Sequence, residues 1–265
     1  KMILSHLGLQ ETLLLTSLSQ HTGPLPSPSS PEDNVPSLQE CLDNIEQANN
    51  FSRLPANPTA YLLYNLATRV RMETRGGAQL SSERDSILEA ADTVAYLLLE
   101  PRHPSKEPLV MQLDSKHLSL LAWAVSALVE FDARAMSQPV RELCYALAGR
   151  ASQPGVMRSN MATACRSWAG VLHGLGEAGI RCGDDDHVQQ VFCYALEEDL
   201  PDLLSMKQKC IPQDVSMIAM ACVDAGFKGN MEPFISALAG RLSGPSSVMH
   251  NAWPQAWSNL IYACG

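Results

Sequence analysis

The chain has 265 residues, of which 46% are apolar, 18% charged and only 6% aromatic, with a formal net charge of −9. That much apolar material argues against global disorder, and no apolar run approaches the ~20 residues that span a bilayer. The acidic balance argues against a highly basic, free-standing nucleic-acid binder.

Eight Cys with no CxxC pair read as reduced, mostly buried thiols, which points to an intracellular or organelle-matrix protein. Residues 1–20 form an N-terminal helix with Leu-rich faces. It is expected to pack rather than anchor in a membrane, because it lacks a basic polar face. Residues 21–37 contain five Pro and several Ser and form a linker that cannot continue a helix.

Residues 38–110 form a helical segment. One helix follows Leu38, Cys41, Leu42 and Ile45. A second starts near Pro58, and a third follows Ser81-Ser82, with a turn at Gly76-Gly77 between them. This pair reads as a divergent repeat. Residues 111–265 read as a helical-repeat array of three units plus the start of a fourth. The chain starts at Lys1 and stops inside an apolar pattern at Cys264-Gly265, so a portion of a longer chain is expected. Period-2 alternation is scarce, and the predicted class is all-α.

The repeat emerges when Leu128, Leu175, Cys222 and Cys264 are aligned as anchors, 47, 47 and 42 residues apart. Seven residues before the anchor stand Leu121, Trp168, Val215 and Trp257; four before, Ala124, Val171, Ile218 and Leu260; three before, Val125, Leu172, Ala219 and Ile261. This 0, 3, 4, 7 spacing is one apolar helix face. A second helix aligns on Leu147, Leu196 and Leu238, with Leu143, Phe192 and Phe234 four earlier and Ala one earlier each time. The string ALAGR occurs at 146–150 and 237–241, and CYAL at 144–147 and 193–196. A helix–turn–helix of this kind cannot bury its stripe alone. The expected architecture is an α-solenoid of stacked units of roughly 40 residues.

The first helices leave a second set of positions. Nine before the anchor are Ser119, Arg166, Gln213 and Gln255; two before are Ser126, His173, Met220 and Tyr262. Six before, all small, are Ala122, Ala169, Ser216 and Ser258; five before are Trp123, Gly170, Met217 and Asn259. Short polar or flat side chains, one set per unit, suit a reader of single-stranded RNA, each unit offering a base an edge partner and a stacking surface. The candidates for contact are Ser119, Ser126, Arg166, His173, Gln213, Ser216, Gln255 and Asn259.

The segments RSWAGVLHGLGEAGI, PQDVSMIAMACVDAGF and PQAWSNLIYACG resemble octotricopeptide repeats, two-helix units abundant in organelle proteins of green algae. The resemblance covers roughly residues 115–265. It implies a non-catalytic protein that binds organellar RNA, in a mitochondrion or alternatively a chloroplast stroma, either as an RNA factor or as part of a ribosome built on fragmented ribosomal RNA. Protein neighbours in a larger assembly are implied too. Two features depart from the family. The units are longer, which predicts enlarged loops around 151–163 and 197–210, and the charge is acidic. Residues 1–114 carry 8 basic against 14 acidic side chains, and residues 115–265 carry 11 against 14. Phosphate contact therefore needs local basic patches, for which Arg141, Arg150, Arg158, Lys207 and Lys209 are candidates. A solenoid that binds only protein is the alternative.

Other motifs carry less. GLGEAG at 174–179 matches GxGxxG but closes a helix rather than following a strand, so its glycines are expected to serve close packing and a helix stop. Asp184-Asp185-Asp186-His187 lacks calcium-loop spacing and precedes a helix, where acids favour the positive end. The Cys lie on apolar columns and no Cys/His set has zinc spacing. HExxH and GxSxG are absent, and Asn50-Phe51-Ser52 is the sole glycosylation-type match weighed. No catalytic constellation, metal or cofactor is expected, and no membrane partner.

Overall fold

The computed structural model describes residues 35–50, 55–101, 107–206, 210–242, 249 and 252–264. The expected helix at 1–20, all but the last residues of the 21–37 linker, most of Asn50-Phe51-Ser52, and both Lys207 and Lys209 lie outside them. The described residues contain helices and no strand. The helices are α1 (Leu38–Asn50), α2 (Ala56–Arg75), α3 (Arg84–Leu99), α4 (Ser115–Phe131), α5 (Gln138–Ala151), α6 (Ala164–Glu177), α7 (Asp186–Cys193), α8 (Leu200–Ser205), α9 (Pro212–Asp224), α10 (Glu232–Leu242) and α11 (Pro254–Cys264). The chain is all-α at this level.

Local chemistry sets the helix ends. Asp114 caps α4 by accepting from the His117 amide at 3.0 Å. Ser137 caps α5 and Asp185 caps α7 in the same way. Asp214 reaches back from the first turn of α9 to the Ile211 amide at 3.0 Å. Helices α6 and α9 stop alike, at Gly179 (φ 80°) and Gly226 (φ 63°). In each, the carbonyl of the anchor residue accepts the amide five residues on: Ile180 N–H to Leu175, and Phe227 N–H to Cys222. The first two glycines of GLGEAG lie against neighbouring helices and the third closes α6, as the motif's position implied.

Helices α2, α4, α6, α9 and α11 pack on one another in that order. A second row runs α3, α5, α7 and, through α8, α10. The rows touch where α2 meets α3, α4 meets α5 and α6 meets α8, and α1 packs on both α2 and α3. The apolar columns are buried as their spacing predicts in α4, α6 and α9: Leu121, Ala124, Val125 and Leu128; Trp168, Val171, Leu172 and Leu175; Val215, Ile218, Ala219 and Cys222. Each large side chain so buried contributes about 1.5–3 kcal/mol. Trp257 and Ile261, on the same columns of α11, are exposed, because no second-row helix stands beside α11 among the described residues.

One expected loop is instead helical. Residues 197–205 continue α7 as a single rod, with a π-helical segment from Tyr194 to Asp199 joining it to α8. Pro201 cannot donate to a carbonyl one turn back, and the Leu200 amide bonds Ala195, five residues earlier. The wider turn brings the buried Asp199 carboxylate to the indole of Trp168, whose Nε1 donates to Oδ2 at 2.6 Å. Arg158, from the 152–160 loop, donates Nε to Asp199 Oδ1 and places another nitrogen 3.1 Å from Asp202 Oδ2. One carboxylate so ties a loop, a second-row rod and a first-row helix together.

The first row closes through missing side chains. A Cβ on Gly174 would lie 2.5 Å from the backbone carbon of Ala122, and one on Gly170 would lie 2.0 Å from Ser119 Oγ. Gly174→Ala is expected to lower the unfolding free energy by about 1–3 kcal/mol, although Ala is the better helix former by about 1 kcal/mol; urea denaturation reads the difference. Trp168→Phe keeps the ring but removes the donor to Asp199, and is expected to lose about 1–3 kcal/mol in the same assay.

Candidate nucleic-acid interface

Positions −9, −5, −2 and +2 from the anchor are separated by 4, 3 and 4 residues, so they share one face of a first-row helix. On this face Arg166, His173, Gln213 and Gln255 are half-buried, as are Trp123, Met217, Met220 and Asn259, while Tyr262 is exposed. Because the helices stand in sequence order, the same positions recur side by side.

Not every expected contact residue lies open. Ser119, Ser126 and Ser216 are buried, a correction to the expectation that they face a ligand. Ser119 fills the space left by Gly170. Ser126 donates to the Trp123 carbonyl at 2.9 Å, satisfying its hydroxyl within its own helix. Ser216 accepts from Asn259 Nδ2 at 2.8 Å, and Asn259 Oδ1 accepts from Gln255 Nε2 at 3.1 Å. Three candidates, Ser216, Asn259 and Gln255, are thus brought together in a chain that joins α9 to α11.

The basic candidates are not brought together. Arg141 is exposed on α5, in the second row. Arg150 is half-buried and donates to the Leu113 carbonyl at 3.2 Å and to Gln153 at 2.6 Å. Arg158 is held by Asp199 and Asp202. Arg166 remains on the candidate face, its Nε 3.8 Å from Asp214 Oδ1. The reason is common to Arg150 and Arg158: each satisfies carbonyls or carboxylates within the fold.

The two ends of the face carry different groups. At the end where α4 begins, the Lys116 ammonium lies 5.6 Å from the Tyr61 ring centroid, and the Tyr61 ring meets His117 edge-on at 5.2 Å. His117 Nδ1 sits 2.7 Å from Asp114 Oδ1. Burial alone would raise the Asp114 pKa, but the His117 amide and ring hold its carboxyl below the ordinary range. At the other end stands a column that sequence reasoning missed, Glu130, Glu177 and Asp224, each two residues beyond its anchor. Its signal is the 47-residue period itself, which lies outside the apolar positions used to find the repeat. Glu130 lies 3.7 Å from Arg71, which also sits over Trp123, and Glu177 lies 3.2 Å from His173 Nε2. Burial works to raise the Glu177 pKa, yet the His173 contact holds it below its ordinary value; for Asp224 burial prevails and raises it. Acids at helix C-termini oppose the macrodipole, so the column is not a helix-stabilising device.

Burial pushes the thiols of Cys41, Cys144 and Cys182 up to about 11, 12 and 12, so they stay protonated at neutral pH. Among the described residues no group of three His, Cys, Asp or Glu could hold a metal ion, and no helix is long and apolar enough to cross a membrane. No family model matches the chain, and neither a curated protein nor a solved structure matches it.

Asp114→Ala is expected to cost about 0.5–2 kcal/mol at neutral pH through the lost cap. The native carboxyl titrates below its unfolded value of 3.8. The stability it adds is therefore fully present above that value and lost as pH falls through the lower native one. Denaturation curves of the two proteins should converge as pH falls below the native carboxyl's titration.

Proposed function

We propose that the chain is an α-solenoid of helix–turn–helix units of roughly 40 residues, and that the open face of its first helices holds single-stranded RNA without catalysing a reaction. The observation that carries this reading is the recurrence of one helix face across α4, α6, α9 and α11. Arg166, Gln213 and Gln255 form its polar line. Trp123, His173, Met217, Met220 and Tyr262 supply flat or polarisable surfaces beside it. Stacking on such surfaces tolerates any base, and amide side chains offer edge partners. Arg166, its Nε 3.8 Å from Asp214 Oδ1, lies toward the N-terminal ends of these helices and offers a cation for phosphate there. The carboxylates at the other end repel phosphates. A strand would thus run across the helices with its backbone toward their N-terminal ends.

The resemblance to octotricopeptide repeats adds the setting: an organellar ribonucleoprotein, with a mitochondrial ribosome holding fragmented ribosomal RNA as the leading case and the chloroplast as the alternative. The second reading is a scaffold that binds protein alone. It is favoured by the line of Glu130, Glu177 and Asp224, and by the internal engagement of Arg150 and Arg158.

Fluorescence anisotropy of a labelled short single-stranded RNA, titrated at several salt concentrations, separates the two. The wild-type chain is expected to bind at low salt. Replacing Arg166 and Gln213 together by Ala should weaken binding about tenfold and reduce the slope of log K against log salt by about 0.7, with the helical circular dichroism unchanged. A chain that retains no RNA at low salt is a protein scaffold.

A further inference from the structure

The register of the first-row helices singles out a different surface. At −7 and −3 from the anchor, α4, α6 and α9 carry Leu121, Trp168 and Val215, and Val125, Leu172 and Ala219, all buried. The same two positions of α11 are Trp257, 40% exposed, and Ile261, 68% exposed; beside them Trp253 is 81% and Tyr262 66% exposed. The second row repeats the contrast. Ile235 of α10 is 40% exposed at the position where α5 holds the fully buried Cys144. Apolar residues of this number on one face mark an interaction surface rather than scattered exposure.

The contacts already made elsewhere define what fits. A first-row helix meets a second-row helix at α2–α3, α4–α5 and α6–α8. Trp168, at the register position of Trp257, packs its ring 6.1 Å from Tyr194 of the second-row rod and donates to Asp199 of that rod. Helix α11 (PQAWSNLIYAC) has no charged residue, so charge pairing does not select its neighbour.

We propose that the face formed by Trp253, Trp257 and Ile261 docks one amphipathic helix of the second-row kind. That helix carries a leucine anchor, a large apolar residue four earlier, alanine one earlier, and a carboxylate three later to accept from the Trp257 indole. The contact continues an interface that the molecule already makes between its rows. It is independent of RNA binding.

The probe is a helix-stapled peptide of residues 186–205, which contains the leucine anchor Leu196, Phe192, Ala195 and Asp199 and no Trp. Added to the 1–265 chain, it should shift Trp emission to shorter wavelength and reduce acrylamide quenching, saturably. The same peptide carrying Leu196→Asp should do neither. Ile261→Asp in the protein should weaken binding about tenfold or more. Its exposure lets the substitution be made without loss of helical signal, which circular dichroism checks. Absence of any emission change up to the peptide's solubility limit overturns the proposal. So does a change indifferent to Ile261→Asp. Sedimentation that shows a dimer dissociated by Ile261→Asp also overturns it, by assigning the face to a second copy.

Discussion

Helix α6 has too much buried surface for one partner. Eleven of its fourteen residues are buried between α4, α9 and the second row, and the other three, Arg166, His173 and Glu177, lie on one face. A helix enclosed in this way must let neighbouring backbones come close, and that requirement selects its small residues. Gly170 meets Ser119, Gly174 meets the backbone of Ala122, and Gly176 lies against Ala221 and Asp224. Where a Cβ would collide with backbone, a rotamer change offers no relief. The spacing of the whole first row therefore depends on these positions, and with it the alignment of the face that we assign to RNA.

The rows are joined by a different kind of contact. Asp199 is a buried carboxylate that receives the Trp168 indole N–H and the Arg158 guanidinium. A buried ion pair is weak support for stability by itself, since desolvation offsets much of the attraction. Its value here is in register. The π segment at 194–199 sets where Asp199 falls along the rod, and the indole N–H donates only to a carboxylate at that height. An apolar substitute would fill the volume without fixing the height of rod against helix.

Much of this was legible in the sequence, and the misses have physical causes. The apolar columns were readable because burial on a helix imposes a period of 3.6, and Trp168, Leu172 and Leu175 obey it. The glycines were readable because a helix stop needs the left-handed backbone of Gly179. The serines misled: Ser119 and Ser126 are polar in type but small, and Ser126 satisfies itself on a backbone carbonyl, so burial costs it little. Residues 197–205 misled because the unit's extra length was assigned to a loop, whereas a single wide turn before Pro201 keeps it helical. Arg150 and Arg158 misled because charge in a sequence carries no information about whether a carbonyl or carboxylate waits 37 or 41 residues away. Exposure of Trp257 was invisible for the converse reason, since a register position says which way a residue points and not whether a neighbour is there.

The acidic column sharpens the functional argument. Glu130, Glu177 and Asp224 stand at helix ends where the macrodipole disfavours them, and for Asp224 burial raises the cost of ionisation further. Glu130 and Glu177 are offset there by Arg71 and His173, and the repeated acid also gives the face a directional field. The far ends of α4, α6 and α9 carry one acid each, whereas their starts mix Lys116 and Arg166 with Asp114 and Asp214. On the reading we propose, an RNA strand keeps its backbone away from the acidic ends, which would lay its bases over Trp123, Met217 and Asn259. A basic protein segment would take the opposite end. Under the two readings proposed above, loss of Arg166 would act on RNA and loss of Glu177 on a basic protein segment.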